Sequence, residues 1–129
     1  MQLKPVSPRA LIVDDEPMMI RLCRSILEGM DLEVLEAHNA ESALALLERE
    51  AAGIRLLLTD IRMGTGMDGV ELSHRVRKAH PHIEILIMSG YADEEPVKRM
   101  LAHAEFRFLQ KPFTVAAMRE EVRRMGTLW

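Results

Sequence analysis

The most constraining feature of this sequence is a strict alternation between short apolar runs and longer segments with helical spacing. Runs rich in valine, isoleucine and leucine lie at 10–13, 32–35, 54–58, 83–88 and 106–109. Several are almost unbroken, which favours strands buried on both faces over half-exposed antiparallel strands. The segments between them repeat apolar residues three and four positions apart, which is typical of amphipathic helices.

Five strand–helix units in this order predict a doubly wound α/β domain. Right-handed crossovers between consecutive strands favour a parallel sheet of five strands with five helices on its two faces. Pro17, which follows an acidic pair, suits the first turn of the first helix. The 129 residues amount to a single domain.

Composition excludes several functional classes. The net charge is −3, whereas a nucleic-acid binder of this size would carry an excess of lysine and arginine. No apolar run approaches the roughly 20 residues that a membrane span needs. Cys23 is the only cysteine and the N-terminus lacks the apolar core of a signal peptide, so we expect a cytoplasmic protein. Cys23 itself lies on the apolar stripe of the first helix and is expected in the core.

Polar side chains follow four of the five predicted strands. Asp14 and Asp15 come after the first strand, Asp60 ends the third, Ser89 ends the fourth and Lys111 follows the fifth. Ligands of such sheets bind beyond the carboxyl ends of the strands, so we expect these groups to converge at one edge.

Three converging carboxylates need compensating positive charge. Two of them about 4 Å apart repel by roughly 4 kcal/mol at an effective dielectric constant of 20, and Lys111 supplies one positive charge. A hard divalent cation with oxygen ligands resolves the repulsion, and Mg²⁺ suits a site with few carboxylates and several waters.

A nucleotide or flavin site does not fit the same edge. The loop after the first strand, 14–18, has the sequence DDEPM, whose carboxylates would repel a phosphate and whose proline lacks an N–H group. No glycine-rich phosphate-binding motif occurs elsewhere in the chain.

In this arrangement the sequence resembles the receiver domain of two-component response regulators, the CheY-like superfamily. The matching segments, in chain order and on the expected strand ends, are LIVDDE at 11–16, LTDIRM at 58–63, MDG at 67–69, IMSGY at 87–91 and FLQKPF at 108–113. The resemblance covers about residues 8 to 127. It implies a flavodoxin-like sheet of order 2-1-3-4-5, with 8–129 as the receiver domain and 1–7 as an N-terminal tail.

The resemblance implies a phosphorylation site. Asp60 would accept a phosphoryl group from a histidine kinase or a histidine phosphotransfer protein, in a reaction that depends on Mg²⁺ or Mn²⁺. The cation would be bound by Asp15, Asp60 and the backbone carbonyl of Arg62, and by Asp14 through water. Such a domain phosphorylates and dephosphorylates itself and is not a turnover enzyme in the usual sense.

The resemblance also assigns the signalling residues. Lys111 would pair with Asp60 before transfer and with the phosphoryl oxygens afterwards, and the Lys111–Pro112 bond would be cis. Ser89 and Phe108 would form the conformational switch, while Arg62 and Tyr91 would set how fast water attacks the phosphoaspartate. For the last two, a role as plain surface loop residues is an equal alternative.

The loop after Asp60 departs from the family pattern. Gly64 stands where the family usually has proline, and Gly69 follows Asp60 by nine positions, one more than usual. The stretch 64–66 is therefore expected to be one residue longer and more flexible. Phe108 also lacks the hydroxyl that a tyrosine would have at the switch position.

Two other functions remain as alternatives. A receiver-like interaction module that works without phosphate would be favoured by loss of the acidic pair, Asp60 or Lys111, and all are present. A phosphatase with an aspartate nucleophile usually has a second aspartate two residues later, where this chain has Arg62.

The output surface is expected on the fourth helix, fifth strand and fifth helix, at 94–103, 106–110 and 114–128. This face could support a homodimer, although its mixed charges fit a solvated helix face equally well. The downstream target, or a tethered output domain, is not specified by the residues.

Overall fold

Five apolar segments form the strands of one parallel sheet in a computed structural model that describes residues 7–90 and 106–126. The strands are β1 Arg9–Val13, β2 Glu33–Ala37, β3 Ile54–Asp60, β4 Glu84–Ser89 and β5 Arg107–Gln110. Their spatial order is β2-β1-β3-β4-β5, with all neighbours parallel. The doubly wound α/β prediction and the strand order implied by the resemblance are both confirmed.

The described residues form four α-helices, α1 Pro17–Glu28, α2 Ala40–Glu50, α3 Gly69–Ala79 and α4 Val115–Arg123, and a short 3₁₀ turn follows α2 at Ala51–Gly53. The fourth of the five predicted helices, at 94–103, lies outside the described residues, so α4 is the fifth predicted helix. None of the helices in these parts of the chain has the length and apolar content to cross a bilayer.

Local sequence explains where the helices start. Asn39, Asp68 and Thr114 cap α2, α3 and α4, each accepting a hydrogen bond from the backbone N–H three residues later at 2.7, 2.9 and 3.0 Å. Such caps stabilise a helix by about 1 kcal/mol each. α1 instead begins with Pro17, which has no N–H group to satisfy.

The sheet separates two apolar clusters. Side chains of alternate residues of the central strand point to opposite faces, so Leu57 packs in one cluster and Leu56 and Leu58 in the other. The first cluster includes residues of α2 and α3, and the second includes residues of α1 and α4. These three leucines are fully buried, which explains why the strand sequence is an unbroken apolar run.

The strand register brings the polar strand ends together at one edge. Val13 of β1 lies opposite Thr59 of β3, Asp60 lies opposite Met88 of β4, and Ser89 lies opposite Gln110 of β5. Residues directly after β1, β3, β4 and β5 therefore surround a common space beyond the carboxyl end of the sheet.

Candidate functional site

Asp14, Asp15 and Asp60 form an acidic pocket at this edge. One carboxylate oxygen from each lies within 4.8 Å of the other two. Asp14 is fully buried, Asp60 is partly buried and Asp15 is exposed, so the pocket opens to solvent on the Asp15 side. The convergence predicted from the strand ends is therefore present.

Asp14 is held by backbone groups on two sides. Its Oδ1 accepts a hydrogen bond from the Glu16 N–H at 2.9 Å, and its own N–H donates to the Ala37 carbonyl at 3.2 Å. Burial raises the pKa of Asp14, and the nearby Asp60 charge adds to this, against the opposing effects of the Glu16 N–H and Lys111. A nearby cation strongly stabilises the ionised form of such a buried carboxylate.

Lys111 is the basic group of the pocket. Its Nζ lies 3.2 Å from Oδ2 of Asp60 and 3.5 Å from Oδ2 of Asp14. Burial alone would lower the pKa of Lys111, but the charges of Asp14 and Asp60 outweigh burial and raise it. The backbone of Lys111 is held by a hydrogen bond, because its N–H donates to the Ser89 carbonyl at 2.9 Å. The Lys111–Pro112 bond is cis, as the resemblance implied.

The charge balance of the pocket suits a metal ion. Among the described residues, three carboxylates face one ammonium group, so this fully ionised cluster carries an excess of negative charge. Carboxylate oxygens are the ligands that Mg²⁺ and Mn²⁺ prefer. The acidic pocket could therefore bind a divalent cation.

The end of β3 packs very closely against the start of α3. The Gly69 N–H donates to the Ile61 carbonyl at 2.7 Å, and a Cβ at Gly69 would lie 1.8 Å from the Asp60 carbonyl oxygen. Ile61 in turn donates its N–H to Asp60 Oδ1 at 2.8 Å. The conformation of Asp60 thus depends on a glycine nine residues later in the chain.

Of the other predicted site residues, the structure describes Ser89, Phe108 and Arg62. Ser89 is buried at the end of β4, and Phe108 is half-buried on β5 opposite Ile87, packed against the cluster on the α2 and α3 face. Arg62 is exposed in the loop after β3. Tyr91 lies outside the described residues.

The loop after β3 makes one contact that the sequence did not predict. Oε1 of Glu41, in the first turn of α2, accepts a hydrogen bond from the Met67 N–H at 3.2 Å. An acidic residue in the first turn of a helix predicts a local interaction with the free N–H groups of that turn. Nothing in the sequence pattern indicates a contact with a residue 26 positions away.

Charged residues on α4 form ion pairs close to β5. Arg107 lies 3.6 Å from Glu121, and Arg124 lies 2.8 Å from Glu120 and 3.5 Å from Glu121. These pairs belong to the face where an output surface was expected, and residues 94–103 of that face lie outside the described residues. The homodimer stays a prediction.

A family model and two known relatives point to the same protein family. The model of the response regulator receiver domain family matches residues 10–123. The response regulator protein PilR of Pseudomonas aeruginosa is 34% identical over 88% of this chain, and the sensor kinase CckA of Brucella abortus is 31% identical over 92% of it. The chain spans 25% of the length of the first relative and 12% of the second.

Solved structures agree with this similarity. The receiver domain of NtrX from Brucella abortus is 30% identical and superposes with a TM-score of 0.79, covering 90% of this chain and 96% of that one. A CheY-like response regulator receiver domain protein from Methanospirillum hungatei is 27% identical, with a TM-score of 0.84 and coverages of 95% and 96%.

Proposed function

Since this chain belongs to the response regulator receiver domain family of two-component signalling, we propose that Asp60 is its phosphoacceptor. The observation that carries the proposal is the position of Lys111 between two of three clustered carboxylates, 3.2 Å from Asp60 and 3.5 Å from Asp14. This arrangement gives one partly exposed carboxylate a fixed cationic neighbour, which is what a phosphoryl acceptor needs.

The reaction proceeds by nucleophilic attack of Asp60. A carboxylate oxygen attacks the phosphorus atom of a phosphohistidine, the P–N bond breaks, and its electron pair returns to the imidazole nitrogen. The product carries about 1.5 to 2 negative charges. Lys111 then turns from the Asp60 carboxylate towards the phosphoryl oxygens, because the new charge lies within reach of its ammonium group.

Four residues would hold the divalent cation, Mg²⁺ or Mn²⁺. Asp15 and Asp60 would contribute side-chain oxygens, Arg62 its backbone carbonyl, and Asp14 a contact through water. The bound cation supplies positive charge next to the phosphoryl oxygens. The excess negative charge of the described pocket supports this assignment.

Ser89 and Phe108 would form the switch. Ser89 is buried at a strand end beside the pocket, where its hydroxyl can donate to a phosphoryl oxygen. Phe108 is half-buried on the neighbouring strand, so part of its ring is still exposed and could become buried when Ser89 shifts. Arg62 and Tyr91, two positions beyond the acceptor and the switch hydroxyl, would adjust the rate of hydrolysis. A surface change of this kind can pass the signal to a downstream partner.

The phosphodonor would be a histidine kinase or a histidine phosphotransfer protein. We expect such a donor to approach Asp60 near the first turns of α1 and α4, which follow Asp14 and Lys111 closely in the chain. Among the described residues, the large apolar side chains that are exposed lie on these two helices: Met18 is 68% exposed, and Leu22 and Val115 are each 42% exposed. Exposed apolar side chains next to a reactive group suit a protein partner.

Labelling with a small phosphodonor tests the proposal. Incubation with radiolabelled acetyl phosphate and Mg²⁺ is expected to label the chain, with loss of the label in Asp60→Asn and in the presence of EDTA. Asp31→Asn is the matched control, because Asp31 is exposed with a φ of 65° that asparagine also adopts. Mg²⁺ binding by a chain that never acquires the label would instead support the receiver-like module that works without phosphate.

A further inference from the structure

The loop between Asp60 and Gly69 returns to its starting point. Its first residue, Ile61, donates its N–H to the Asp60 side chain and accepts the Gly69 N–H through its carbonyl at 2.7 Å. The intervening residues 64–66 are exposed and contain two glycines, one of them, Gly64, at a φ of +66°. This is the stretch that the sequence predicts to be one residue longer than the family pattern.

Glu41 contacts the far end of this loop. Its Oε1 accepts the Met67 N–H at 3.2 Å. The carboxylate also faces the backbone of Gly66, where a Cβ would lie 2.8 Å from Oε1 and 3.4 Å from Oε2. The absence of a side chain at position 66 therefore allows the carboxylate to approach the loop. The pKa of Glu41 is lowered because its carboxylate accepts the Glu41 and Met67 backbone N–H groups, which keeps the acceptor ionised.

The same connection between β2 and α2 also contacts the opposite side of the pocket. Ala37, the last residue of β2, accepts the Asp14 N–H at 3.2 Å. Asn39 then caps α2 and places Glu41 in its first turn. Residues 37–41 thus touch both the backbone of Asp14 and the loop that follows Asp60.

We propose that Glu41 is a positioning residue for the acidic pocket. By holding the 64–67 loop against α2, its carboxylate keeps the backbone near Arg62 in place for the cation. The inference rests on the proposed function, since it assigns the Arg62 carbonyl to the cation. Partners that orient metal ligands without touching the metal commonly have large effects on affinity.

Three substitutions separate positioning from charge. Glu41→Ala removes the acceptor, Glu41→Gln keeps an acceptor oxygen without the charge, and Glu48→Ala, exposed on the same helix, is the control. In Glu41→Ala we expect the Mg²⁺ dissociation constant to rise about fivefold and Met67 amide exchange in the metal-free protein to accelerate about tenfold. Glu41→Gln should stay within about twofold of the unchanged chain in both measurements.

Gly66→Ala provides an independent test. Its methyl group would displace the Glu41 carboxylate, and its backbone conformation is one that alanine can adopt. We expect it to weaken Mg²⁺ binding as Glu41→Ala does, and to have little further effect when both changes are combined. Calorimetric titration with Mg²⁺ measures all these constants.

Several outcomes would overturn the inference. Glu41→Ala matching Glu48→Ala would show that the contact does not influence the pocket. Glu41→Gln matching Glu41→Ala would show that charge, not loop position, is responsible, and additive effects of Gly66→Ala and Glu41→Ala would show that the two do not share a contact. Failure of the proposed function is distinct, because the unchanged chain would then either bind no Mg²⁺ or never acquire the phosphoryl label, while Met67 exchange would still respond to Glu41→Ala.

Discussion

The Nζ of Lys111 lies 3.2 Å from Oδ2 of Asp60, across 51 positions of sequence. The ammonium group is therefore attracted to the same carboxylate oxygens that a divalent cation would bind. It stabilises the metal-free pocket and would compete with a bound cation for the same carboxylates.

Replacement of Lys111 by methionine should separate these two effects. Without the ammonium group, the free energy of unfolding in EDTA should fall by about 2 kcal/mol because buried Asp14 loses its counter-charge. Mg²⁺ should bind to Lys111→Met on the order of tenfold more tightly than to the unchanged chain. Bound Mg²⁺ should therefore reduce the difference in free energy of unfolding between the two proteins. Urea unfolding with EDTA and with Mg²⁺ measures both effects, and Lys78→Met, at an exposed position of α3, is the control. Weaker Mg²⁺ binding by Lys111→Met would contradict the competition.

Gly69→Ala should be strongly destabilising. The added Cβ would lie 1.8 Å from the Asp60 carbonyl oxygen, which is backbone and cannot swing aside. Separation of α3 from β3 should lower the free energy of unfolding by about 3 kcal/mol, as for severe overpacking. Denaturant unfolding checks the value.

Gly29→Ala is the control for this substitution. A Cβ at Gly29 would lie 3.4 Å from its nearest neighbours, with a helical backbone at φ −65°. Its stability should change by no more than about 0.5 kcal/mol. Equal effects at Gly29 and Gly69 would show that the close approach at Asp60 has no energetic importance.

The Cys23 thiol should make stability depend on alkaline pH. Burial, with a smaller effect of the Asp14 charge, raises the pKa of Cys23 from 9.0 to about 12. The folded state therefore holds this proton more tightly, so its contribution is complete below pH 9 and is lost as the pH rises towards 12. Between pH 8 and pH 10, the free energy of unfolding of the unchanged chain should fall by about 1 kcal/mol more than that of Cys23→Ala. Identical losses in the two proteins would mean that the thiol is accessible in the folded state.

Met18→Ala should reduce phosphotransfer from a protein donor only. Met18 is 68% exposed in the first turn of α1, and its loss would remove apolar contact area from a docked kinase. We expect the rate of transfer from a phosphohistidine protein to fall about tenfold. Labelling by acetyl phosphate should be unchanged, because a small donor needs no docking surface. A parallel decrease with both donors would place Met18 in the chemistry of the pocket instead.

The strands were predictable because their burial leaves a direct mark on the sequence. β1, β3 and β4 are covered on both faces, so each is an apolar run that cannot be mistaken for an amphipathic helix. The end of α1 was harder to predict: Leu32, expected to begin β2, donates its N–H to the Leu27 carbonyl and completes the turn after the helix. Asp31 allows this turn through its positive φ.

The acidic pocket was predictable because parallel strands place their carboxyl ends together. Once the strand ends are placed correctly, the sequence alone predicts that four residues meet there: Asp14, Asp15, Asp60 and Lys111. The contact of Glu41 with Met67 could not be foreseen, since it depends on the path of a glycine-containing loop rather than on strand alternation. Interactions set by loop geometry leave no periodic signal in the sequence.

The two apolar clusters have no residue in common among those described. Substitutions on α1 and α4, the helices proposed to contact the phosphodonor, can therefore accumulate without disturbing the packing of α2 and α3 on the other face. Under the proposed function, paralogues of such a chain can diverge in their choice of phosphodonor while the α2 and α3 face changes slowly.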